Sequence, residues 1–376
     1  MLFAFLRGLA LRNYAMCGFC RLLLGWFTPR QTQAIMPSSI EIYTSWITKQ
    51  RLLAPPSSLL HDLLQVDIEP LPSCPTDASI LWLGDRHTAK KFILFLHGGG
   101  FTLNVLSGHL GWCLSAWVHP DLNYRYREDV AVAILDYSLA PSAKYPTQLI
   151  EASHALRHVL QTVCPNPSDL IIGGDSAGGC LTAQLLCHLV HPHPHKQAVL
   201  PPDTIDLLRN PLAGAFLVSP WLSTSTTSDS FARNSGIDML SPSMMKKLAR
   251  DSLEGTSWHS ELANQQGGWA MPLEYPDSSN LVGIERIVRR LYVTVGEHEV
   301  LRDQGVEFVQ RMRAVVALGS GGGGEKSLKK NPEEVVKLDI LPEAAHDFIL
   351  VEGGFGEVGP AMKRMRDWTK TAFAGW

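Results

Sequence analysis

Apolar residues along this chain form two kinds of pattern that alternate with each other. Short, nearly continuous apolar runs bounded by Gly, Pro, Asp or Ser are typical of strands that are buried on both faces. They predict strands over residues 79–83, 92–96, 130–135, 170–172, 213–218, 291–295 and 335–341. Apolar residues at helical spacing predict helices over residues 40–53, 148–163, 179–189, 244–253 and 306–318, and a last helix that runs to the C-terminus. Strands that alternate with helices predict an α/β fold, with a mostly parallel central sheet covered by helices on both faces.

The strand–helix alternation is missing in two parts of the chain, which predicts cap segments beside one main domain. Residues 61–376 are expected to form the main α/β domain, and residues 1–60 an apolar helical segment that is part of the cap. Residues 222–285 also lack the alternation and carry Trp258 and Trp269. An irregular insertion with large aromatic side chains is typical of a lid or substrate-binding cap.

Residues 1–36 are apolar but contain Arg7, Arg12, Arg21 and Arg30. The apolar runs between these arginines are shorter than the roughly 20 residues that a membrane-spanning helix needs. The arginines lie within the apolar stretch rather than before it, unlike the basic residues of a secretory signal peptide. Three interpretations stay open: a helix of the cap, an interfacial helix that lies on a membrane without crossing it, or an organelle-targeting segment.

The predicted strand at 170–172 leads into residues 174–178, which read GDSAG and match the pattern G-x-S-x-G. A strand, a sharp turn and a helix are the context in which this pattern exposes a serine hydroxyl at the top of a sheet. A free hydroxyl is a weak nucleophile at neutral pH. Ser176 therefore needs a base, an acid that orients the base, and hydrogen-bond donors for an oxyanion.

Candidates for these partners follow other predicted strands. Residues 97–101, which read HGGGF, follow the strand at 92–96, while Glu299 and His346 follow the last two strands. In such sheets, ligands bind beyond the carboxyl ends of the strands. The order Ser, acid, His along the chain is the order found in α/β-hydrolases.

With these motifs the chain resembles the hormone-sensitive-lipase-like esterases of the α/β-hydrolase superfamily, over about residues 90–350. The resemblance implies an α/β-hydrolase fold with a helical cap. Its HGGG loop implies an oxyanion hole in which the backbone amides of Gly99, Gly100 and Ala177 face the substrate. Residues 136–141 resemble the family's D-Y-R-L-A-P segment, although Ser138 and Ser142 stand where the family usually has Arg and Glu.

The resemblance also assigns the base and the acid. His346 stands in the family's His-x-Phe pattern and is the expected base. When the family pattern Gly-x-x-Asp-x-Leu-x-Asp is laid on this chain, Glu299 takes the position of the acid, with glutamate in place of the commoner aspartate. Glu297, Asp303 and Asp347 are competing candidates, and Asp303 is also suited to capping the helix that follows it.

The composition of the chain adds no new function and instead argues against several classes of function. A formal net charge of -3 over 376 residues, without a long basic run, gives no electrostatic support for nucleic-acid binding. Seven scattered cysteines favour reduced thiols, and the absence of an N-x-[ST] sequon gives no support for a glycosylated secreted protein. Without a clear secretory signal, the expected location is intracellular, either cytoplasmic or peripheral on an internal membrane. The C-x-x-C of Cys17 and Cys20 lacks the βαβ context of a redox motif, so no such role is expected.

Two further stretches are expected to be surface loops. Residues 188–195 are rich in His and Pro, and a solvated loop is the preferred interpretation over a zinc site. Residues 319–330 are Gly-rich and then basic, which is typical of a flexible loop, and they lack the Gly-Lys-[Ser/Thr] of a phosphate loop.

The expected function is that of a serine carboxylester hydrolase that needs no cofactor and no metal. Its expected partner is a small-to-medium apolar ester, such as an acetyl or short-acyl ester of a hydrophobic alcohol. A second interpretation uses the same residues for amide hydrolysis, acyl transfer or a lyase step in a natural-product pathway. A third is a ligand-binding receptor on a hydrolase scaffold, which the presence of His346 disfavours.

Overall fold

The computed structural model of the protein describes residues 11–118, 129–264, 268–319 and 331–374. The strands of the described residues are β1 Ile68–Pro70, β2 Ser79–Leu83, β3 Lys91–Leu96, β4 Val130–Asp136, β5 Leu170–Asp175, β6 Gly214–Val218, β7 Leu291–Gly296 and β8 Val336–Leu341. They form one sheet in the order β1-β2-β4-β3-β5-β6-β7-β8. Pairing is antiparallel at β1–β2 and β2–β4 and parallel from β4 to β8, so the predicted mostly parallel sheet is confirmed.

Helices connect the strands and extend before and after them. Their bounds are α1 Leu11–Trp26, α2 Pro29–Ile35, α3 Ser39–Leu53, α4 Leu59–Leu63, α5 Ser107–Cys113, α6 Thr147–Thr162, α7 Ser176–Val190, α8 Pro202–Leu207, α9 Asp229–Asn234, α10 Pro242–Leu253, α11 Trp258–Ala263, α12 Ile284–Ile287, α13 Arg302–Gly319, α14 Pro332–Val335, α15 Phe348–Gly354 and α16 Pro360–Ala374. A π-helical turn, Leu114–Val118, continues α5, and short 3-10 turns lie at Pro167–Asp169 and Ser278–Leu281.

The predicted elements are present, with three differences. The helix after the GDSAG motif begins at Ser176 itself rather than at residue 179, so the nucleophile candidate stands in its first turn. The prediction of a single C-terminal helix is wrong, because one helix ends at Gly354 and a second helix begins at Pro360. Several short elements were not predicted, among them helix α5, which is Gly-rich, and the edge strand β1, which has only three residues.

The central strands are apolar throughout because both faces of the sheet are covered. In β3, Phe92, Leu94 and Leu96 pack in one hydrophobic cluster, while Ile93 and Phe95 pack in the cluster on the other face. Successive side chains of a strand point to opposite faces, so an uninterrupted apolar run supplies both layers. This construction fixes the register of the strands whose carboxyl ends carry the candidate residues.

The turn between β5 and α7 requires glycine at two positions. A Cβ atom at Gly174 or at Gly178 would collide with the carbonyl oxygen of Leu96 on the neighbouring strand β3. The spacing of the two glycines in G-x-S-x-G is therefore set by the close approach of two backbones. Ser176, between them, is the residue that the turn raises above the sheet.

Candidate active site

Ser176 lies at the sharp turn between β5 and α7. Its backbone is left-handed, with φ +49°, a conformation that residues other than glycine rarely adopt. Asp175, which precedes it, has an extended backbone and is the N-cap of α7. The change from strand to helix within two residues lifts the Ser176 side chain to the carboxyl edge of the sheet, where it lines a cavity.

His346 reaches Ser176 from the loop after β8. Its Nε2 atom lies 2.9 Å from the Ser176 Oγ, across 170 residues of sequence. This distance is that of an ordinary hydrogen bond. The structure therefore brings together the predicted nucleophile and the predicted base.

Glu299 lies on the other side of the imidazole. Its Oε2 atom is 3.8 Å from His346 Nδ1, the ring nitrogen that does not contact Ser176. The same oxygen accepts a 2.5 Å hydrogen bond from the Ser219 hydroxyl. Glu299 is fully buried, and burial raises the pKa of its carboxyl, against the opposing effects of His346 and of Ser219. The pair is close enough for attraction between charges, but 3.8 Å exceeds hydrogen-bond distance.

Two competing acids lie away from the imidazole. Asp303 accepts a 2.8 Å hydrogen bond from the backbone N–H of Ser230 and pairs with Arg302 at 2.9 Å. Glu297 is exposed and accepts a 3.2 Å hydrogen bond from the backbone N–H of Glu343. Both carboxylates have structural partners of their own.

Asp347, the third competitor, contacts the imidazole on the Ser176 side. Its Oδ2 atom is 3.2 Å from His346 Nε2, so it shares that nitrogen with the serine hydroxyl. Burial alone would lower the pKa of His346, but the negative charges of Asp347, Glu299 and Asp238 outweigh burial and raise it. The neighbouring carboxylates therefore favour the protonated form of the imidazole relative to an isolated histidine.

The HGGG loop passes beside Ser176. Gly99 has φ +106° and Gly100 has φ +62°, and both line the cavity with Ser176. A left-handed backbone at two successive positions is readily accessible to glycine alone. Ala177 follows Ser176 in the first turn of α7, where backbone N–H groups have no acceptor within the helix. Of the three predicted oxyanion residues, Gly99 and Gly100 thus line the cavity with Ser176, and Ala177 follows the serine directly in the chain.

A buried aspartate ties this loop to the serine turn. Asp175 accepts a 3.0 Å hydrogen bond from the backbone N–H of Gly98 and lies 3.2 Å from Nε2 of the buried His109. His109 Nδ1 accepts from the backbone N–H of Leu106, so its Nε2 is the nitrogen that donates to Asp175. Sequence analysis missed His109, because its helix α5 carries no motif.

His97, the first residue of the HGGG motif, is structural. It is fully buried, stacks on Tyr137 with ring centroids 4.1 Å apart, and its Nδ1 lies 2.8 Å from the Gly98 carbonyl oxygen. Burial lowers the pKa of His97 to about 3, so the ring is neutral and supports the backbone of the loop.

Asp238 is a second residue that sequence analysis missed. It is fully buried, and its two carboxylate oxygens accept hydrogen bonds from the backbone N–H groups of His346 at 3.1 Å and Val300 at 2.6 Å. Asn234, one turn earlier, donates to the carbonyl oxygen of Glu299 at 2.9 Å. The signal was a single acid within the apolar run Ile237-Asp238-Met239-Leu240, since a charged residue in a run that is otherwise buried needs a specific partner.

The cavity that contains Ser176 and His346 has a volume of about 360 Å³. This volume lies near the lower end of the roughly 300–1,000 Å³ that ligand pockets span. Its walls away from Ser176 and His346 are mostly apolar and come from α1, from the segment between the HGGG motif and α5, from the loop after β6, from the 222–285 segment and from α15: Met16, Leu103, Leu106, Trp221, Met239, Leu240, Met245, Leu248, Leu350 and Val351.

Helix α1 covers this cavity with one face. Met16 and Cys20 line the cavity, and Cys17 is buried beside them. Arg21 fastens the helix to the 222–285 segment by donating to the carbonyl oxygen of Ser235 at 2.6 Å. Among the described residues, no helix combines the length and the hydropathy that crossing a bilayer requires. Residues 1–10 of the apolar segment, with Arg7, lie outside the described residues.

The prediction of a solvated His-rich loop is wrong for two of its residues. His188 and His193 are buried; His188 Nε2 lies 2.8 Å from the carbonyl oxygen of Ala198, and His193 Nε2 lies 3.2 Å from Glu261 Oε1. The contact with Glu261 holds the loop against α11, while His195 is exposed. Within the parts of the chain that the structure describes, no group of side chains is suited to hold a metal ion. Of the predicted loop at 319–330, Gly319 is the last residue of α13, and residues 320–330 lie outside those parts.

A mostly parallel sheet with a serine at a strand–helix turn, hydrogen-bonded to a histidine beyond the last strand, is the architecture of the α/β-class serine hydrolases. The chain belongs to the α/β-hydrolase fold family, whose profile matches residues 93–318. This membership confirms the fold class and the family resemblance expected from the sequence.

Individual relatives are distant. Lipase 2 of Moraxella sp. is 25% identical over 237 residues, which cover 61% of this chain and 51% of the lipase. Arylacetamide deacetylase of Rattus norvegicus is 24% identical over 271 residues, which cover 60% of this chain and 64% of the deacetylase. A crystal structure of an esterase/lipase from an uncultured bacterium has a TM-score of 0.60 at 22% identity, over 97% of this chain and 100% of that chain. The chain thus spans about half to two thirds of the curated relatives' length, and the solved structure supports the fold alone.

Proposed function

We propose that the protein is a serine carboxylester hydrolase that cleaves small-to-medium apolar esters through an acyl-enzyme intermediate. One observation carries the proposal: the Ser176 hydroxyl lies 2.9 Å from His346 Nε2 inside a largely apolar cavity. A nucleophile paired with a base at this distance is the arrangement that acyl transfer needs. The names of the relatives, which include a lipase and a deacetylase, agree with this class of reaction.

The reaction begins when the Ser176 Oγ attacks the ester carbonyl carbon and its proton passes to His346 Nε2. The C–O bond of the tetrahedral intermediate then breaks, and the leaving alcohol takes the proton from Nε2. Water, activated by the same imidazole, hydrolyses the acyl-enzyme and releases the acid. The imidazole must be neutral to accept the first proton, so the charge state of His346 controls the rate.

The HGGG loop and the start of α7 stabilise the oxyanion in this proposal. The backbone N–H groups of Gly99, Gly100 and Ala177 donate to the carbonyl oxygen as it becomes negative. Loss of one such donor typically costs about 3 kcal/mol of transition-state stabilisation. Support comes from the left-handed glycines beside Ser176 and from the Asp175–Gly98 hydrogen bond, which holds the loop against the serine turn.

Glu299 orients His346 and stabilises the imidazolium in this proposal. The Ser219 hydroxyl donates a direct 2.5 Å hydrogen bond to Glu299 Oε2 and so holds this oxygen on the Nδ1 side of the His346 ring. The 3.8 Å separation is longer than a hydrogen bond, and catalytic hydrogen bonds often tighten only when substrate binds.

The cavity favours an apolar substrate of limited size. Its walls are formed by aliphatic, Met and Trp side chains, so an acetyl or short acyl group and a hydrophobic alcohol are the expected parts of the ester. We assign α1 and the 222–285 segment to the cap, since both contribute wall residues and Arg21 joins them. The length of the acyl chain that fits is set by the cap rather than by the HGGG and GDSAG motifs.

The face of α1 that points away from the cavity is suited to a membrane surface. Phe19, Leu22 and Trp26 are 60%, 59% and 82% exposed and stand at i, i+3 and i+7 on one helix face. The chain carries four arginines and no acidic residue before Glu41, which complements anionic lipid headgroups. We assign this face to peripheral, interfacial contact, which would bring apolar esters close to the cavity.

The experiment is a comparison of the wild-type protein with Ser176→Ala on 4-nitrophenyl esters of increasing acyl length, with fluorophosphonate labelling of the serine in parallel. We expect turnover and labelling in the wild type, strongest for short acyl chains, and loss of both in the variant with an unchanged melting temperature. A protein that binds an ester analogue but neither turns over nor labels would be the receptor of the third interpretation.

A further inference from the structure

The Asp347 carboxylate lies beside the place that a leaving group must occupy. His346 Nε2 delivers the proton to the leaving atom, so that atom has to come within hydrogen-bond distance of Nε2. Asp347 Oδ2 is 3.2 Å from the same nitrogen, and Ser176 Oγ is 2.9 Å from it. A carboxylate at this position therefore faces the leaving atom and the hydrogen atoms bound to it.

Apart from His346 Nε2, the surroundings of Asp347 are mostly apolar and leave one carboxylate oxygen unpaired. The residue is only 5% exposed and is part of the wall of the apolar cavity. Its Oδ1 atom has no hydrogen-bond partner among the described residues. A buried carboxylate oxygen without a donor costs free energy, which a donor on a bound substrate would recover.

The backbone holds Asp347 in place without help from its carboxylate. The residue has a left-handed conformation, with φ +53°, and its backbone N–H donates to the Ser219 hydroxyl at 3.3 Å. Ser219 in turn donates to Glu299, so the same hydroxyl links both carboxylate residues that contact His346. Asp, Asn and Gly are the residues that such a backbone tolerates best, which makes clean substitutions available.

We propose that Asp347 accepts a hydrogen bond from the N–H of a leaving amine, so that the site hydrolyses carboxamides as well as esters. The inference rests on the proposed function, because Ser176 and His346 perform the same steps. Ser176 Oγ bonds to the amide carbon and its proton moves to Nε2. The C–N bond then breaks while the nitrogen lone pair takes that proton, and the amine leaves. Water later hydrolyses the acyl-enzyme and releases the acid.

Nitrogen differs from oxygen at one point of this sequence. Its lone pair must face Nε2 to be protonated, which turns its remaining N–H toward another acceptor. Asp347 is the acceptor beside Nε2, whereas an ester oxygen has no hydrogen to donate to it. The carboxylate therefore assists the amide transition state selectively, and its effect appears in the ratio of amide to ester hydrolysis.

The test compares 4-nitroacetanilide with 4-nitrophenyl acetate, which differ in the leaving atom. Asp347→Gly removes the acceptor and suits the left-handed backbone, while Asp347→Asn keeps an acceptor oxygen without the charge. The matched control is Asp229→Asn, on the exposed surface of α9. We expect the amide-to-ester ratio of kcat/KM to fall about tenfold or more in Asp347→Gly, less in Asp347→Asn, and not at all in Asp229→Asn.

Melting temperatures identify any variant that fails to fold, and the Asn variant then carries the comparison. A wild-type protein that hydrolyses the ester but not the amide would overturn the inference. So would an amide-to-ester ratio that stays within twofold in a folded Asp347→Gly or, if only Asp347→Asn folds, in that variant. A wild-type protein that hydrolyses neither substrate would instead overturn the proposed function.

Discussion

The carboxylate of Asp238 and the backbone N–H of His346 lie 3.1 Å apart, although 108 residues separate them in the chain. The other oxygen of Asp238 accepts from the backbone N–H of Val300, the residue after Glu299. One buried side chain therefore joins the loop of His346, the proposed base, to the loop of Glu299, the proposed acid. Because the geometry of His346 and Glu299 depends on both loops, we regard Asp238 as a positioning residue.

Replacing Asp238 with Ala should lower turnover without weakening substrate binding. The change leaves buried N–H groups without acceptors, at a cost of about 1–3 kcal/mol each in stability. We expect kcat to fall at least tenfold and fluorophosphonate labelling of Ser176 to slow in parallel, while KM stays within about threefold. Asp238→Asn, which keeps one acceptor oxygen, should recover part of the rate. If KM rose while kcat stayed unchanged, Asp238 would shape the wall of the substrate cavity rather than position His346 and Glu299.

Glu299→Gln and Asp303→Asn separate the two carboxylates that follow β7. Glutamine at 299 keeps the shape but removes the charge that stabilises the imidazolium, and loss of the orienting charge in a serine protease triad lowers kcat about 10⁴-fold. We expect a drop of about a thousandfold or more for Glu299→Gln. Asp303→Asn should keep turnover within threefold, because its carboxylate pairs with Arg302 and Ser230. The reverse ranking would move the acid to Asp303.

The pH dependence of kcat/KM should report the charges around His346. Asp347, Glu299 and Asp238 favour the imidazolium and raise the pKa of His346, and only the neutral imidazole accepts the serine proton. Activity should therefore rise toward alkaline pH, with an apparent pKa above the ordinary histidine value of about 6.5. Asp347→Asn removes one negative charge, lowers that pKa and extends activity to lower pH. A profile unchanged by this substitution would show that Asp347 does not act on the imidazole.

The outward face of α1 can be tested with vesicles. The combined change Phe19→Ser, Leu22→Ser and Trp26→Ser should reduce co-sedimentation with phosphatidylserine-containing vesicles at least tenfold, since each large apolar side chain contributes about 1.5–3 kcal/mol on burial. Leu318→Ser is the control, because Leu318 is 79% exposed on α13. Turnover of a water-soluble ester, measured in parallel, reports whether the cap is intact. Equal binding by the triple variant and the wild type would argue against a membrane role for this face.

Much of the framework was predictable because its signals are local. Each central strand is an apolar run that can be recognised without knowing which strands lie beside it. The turn between β5 and α7 is set by two glycines that are four positions apart. The C-terminal helix was predicted less well, since Gly354 and Pro360 divide a segment whose periodicity is helical on both sides. Local pattern identifies the period of an element better than the point where it stops.

The sequence alone determined the strand–helix alternation, the turn that raises Ser176, and the order in which Ser176, Glu299 and His346 follow three strands. Only the tertiary structure decided that Asp347 shares Nε2 with Ser176, that Asp238 joins two loops, and that His109 supports Asp175. The reason is physical: periodicity and turn chemistry act between neighbours in the chain. These later contacts join side chains and backbone groups whose distances depend on the order of strands in the sheet and on how the cap packs against it.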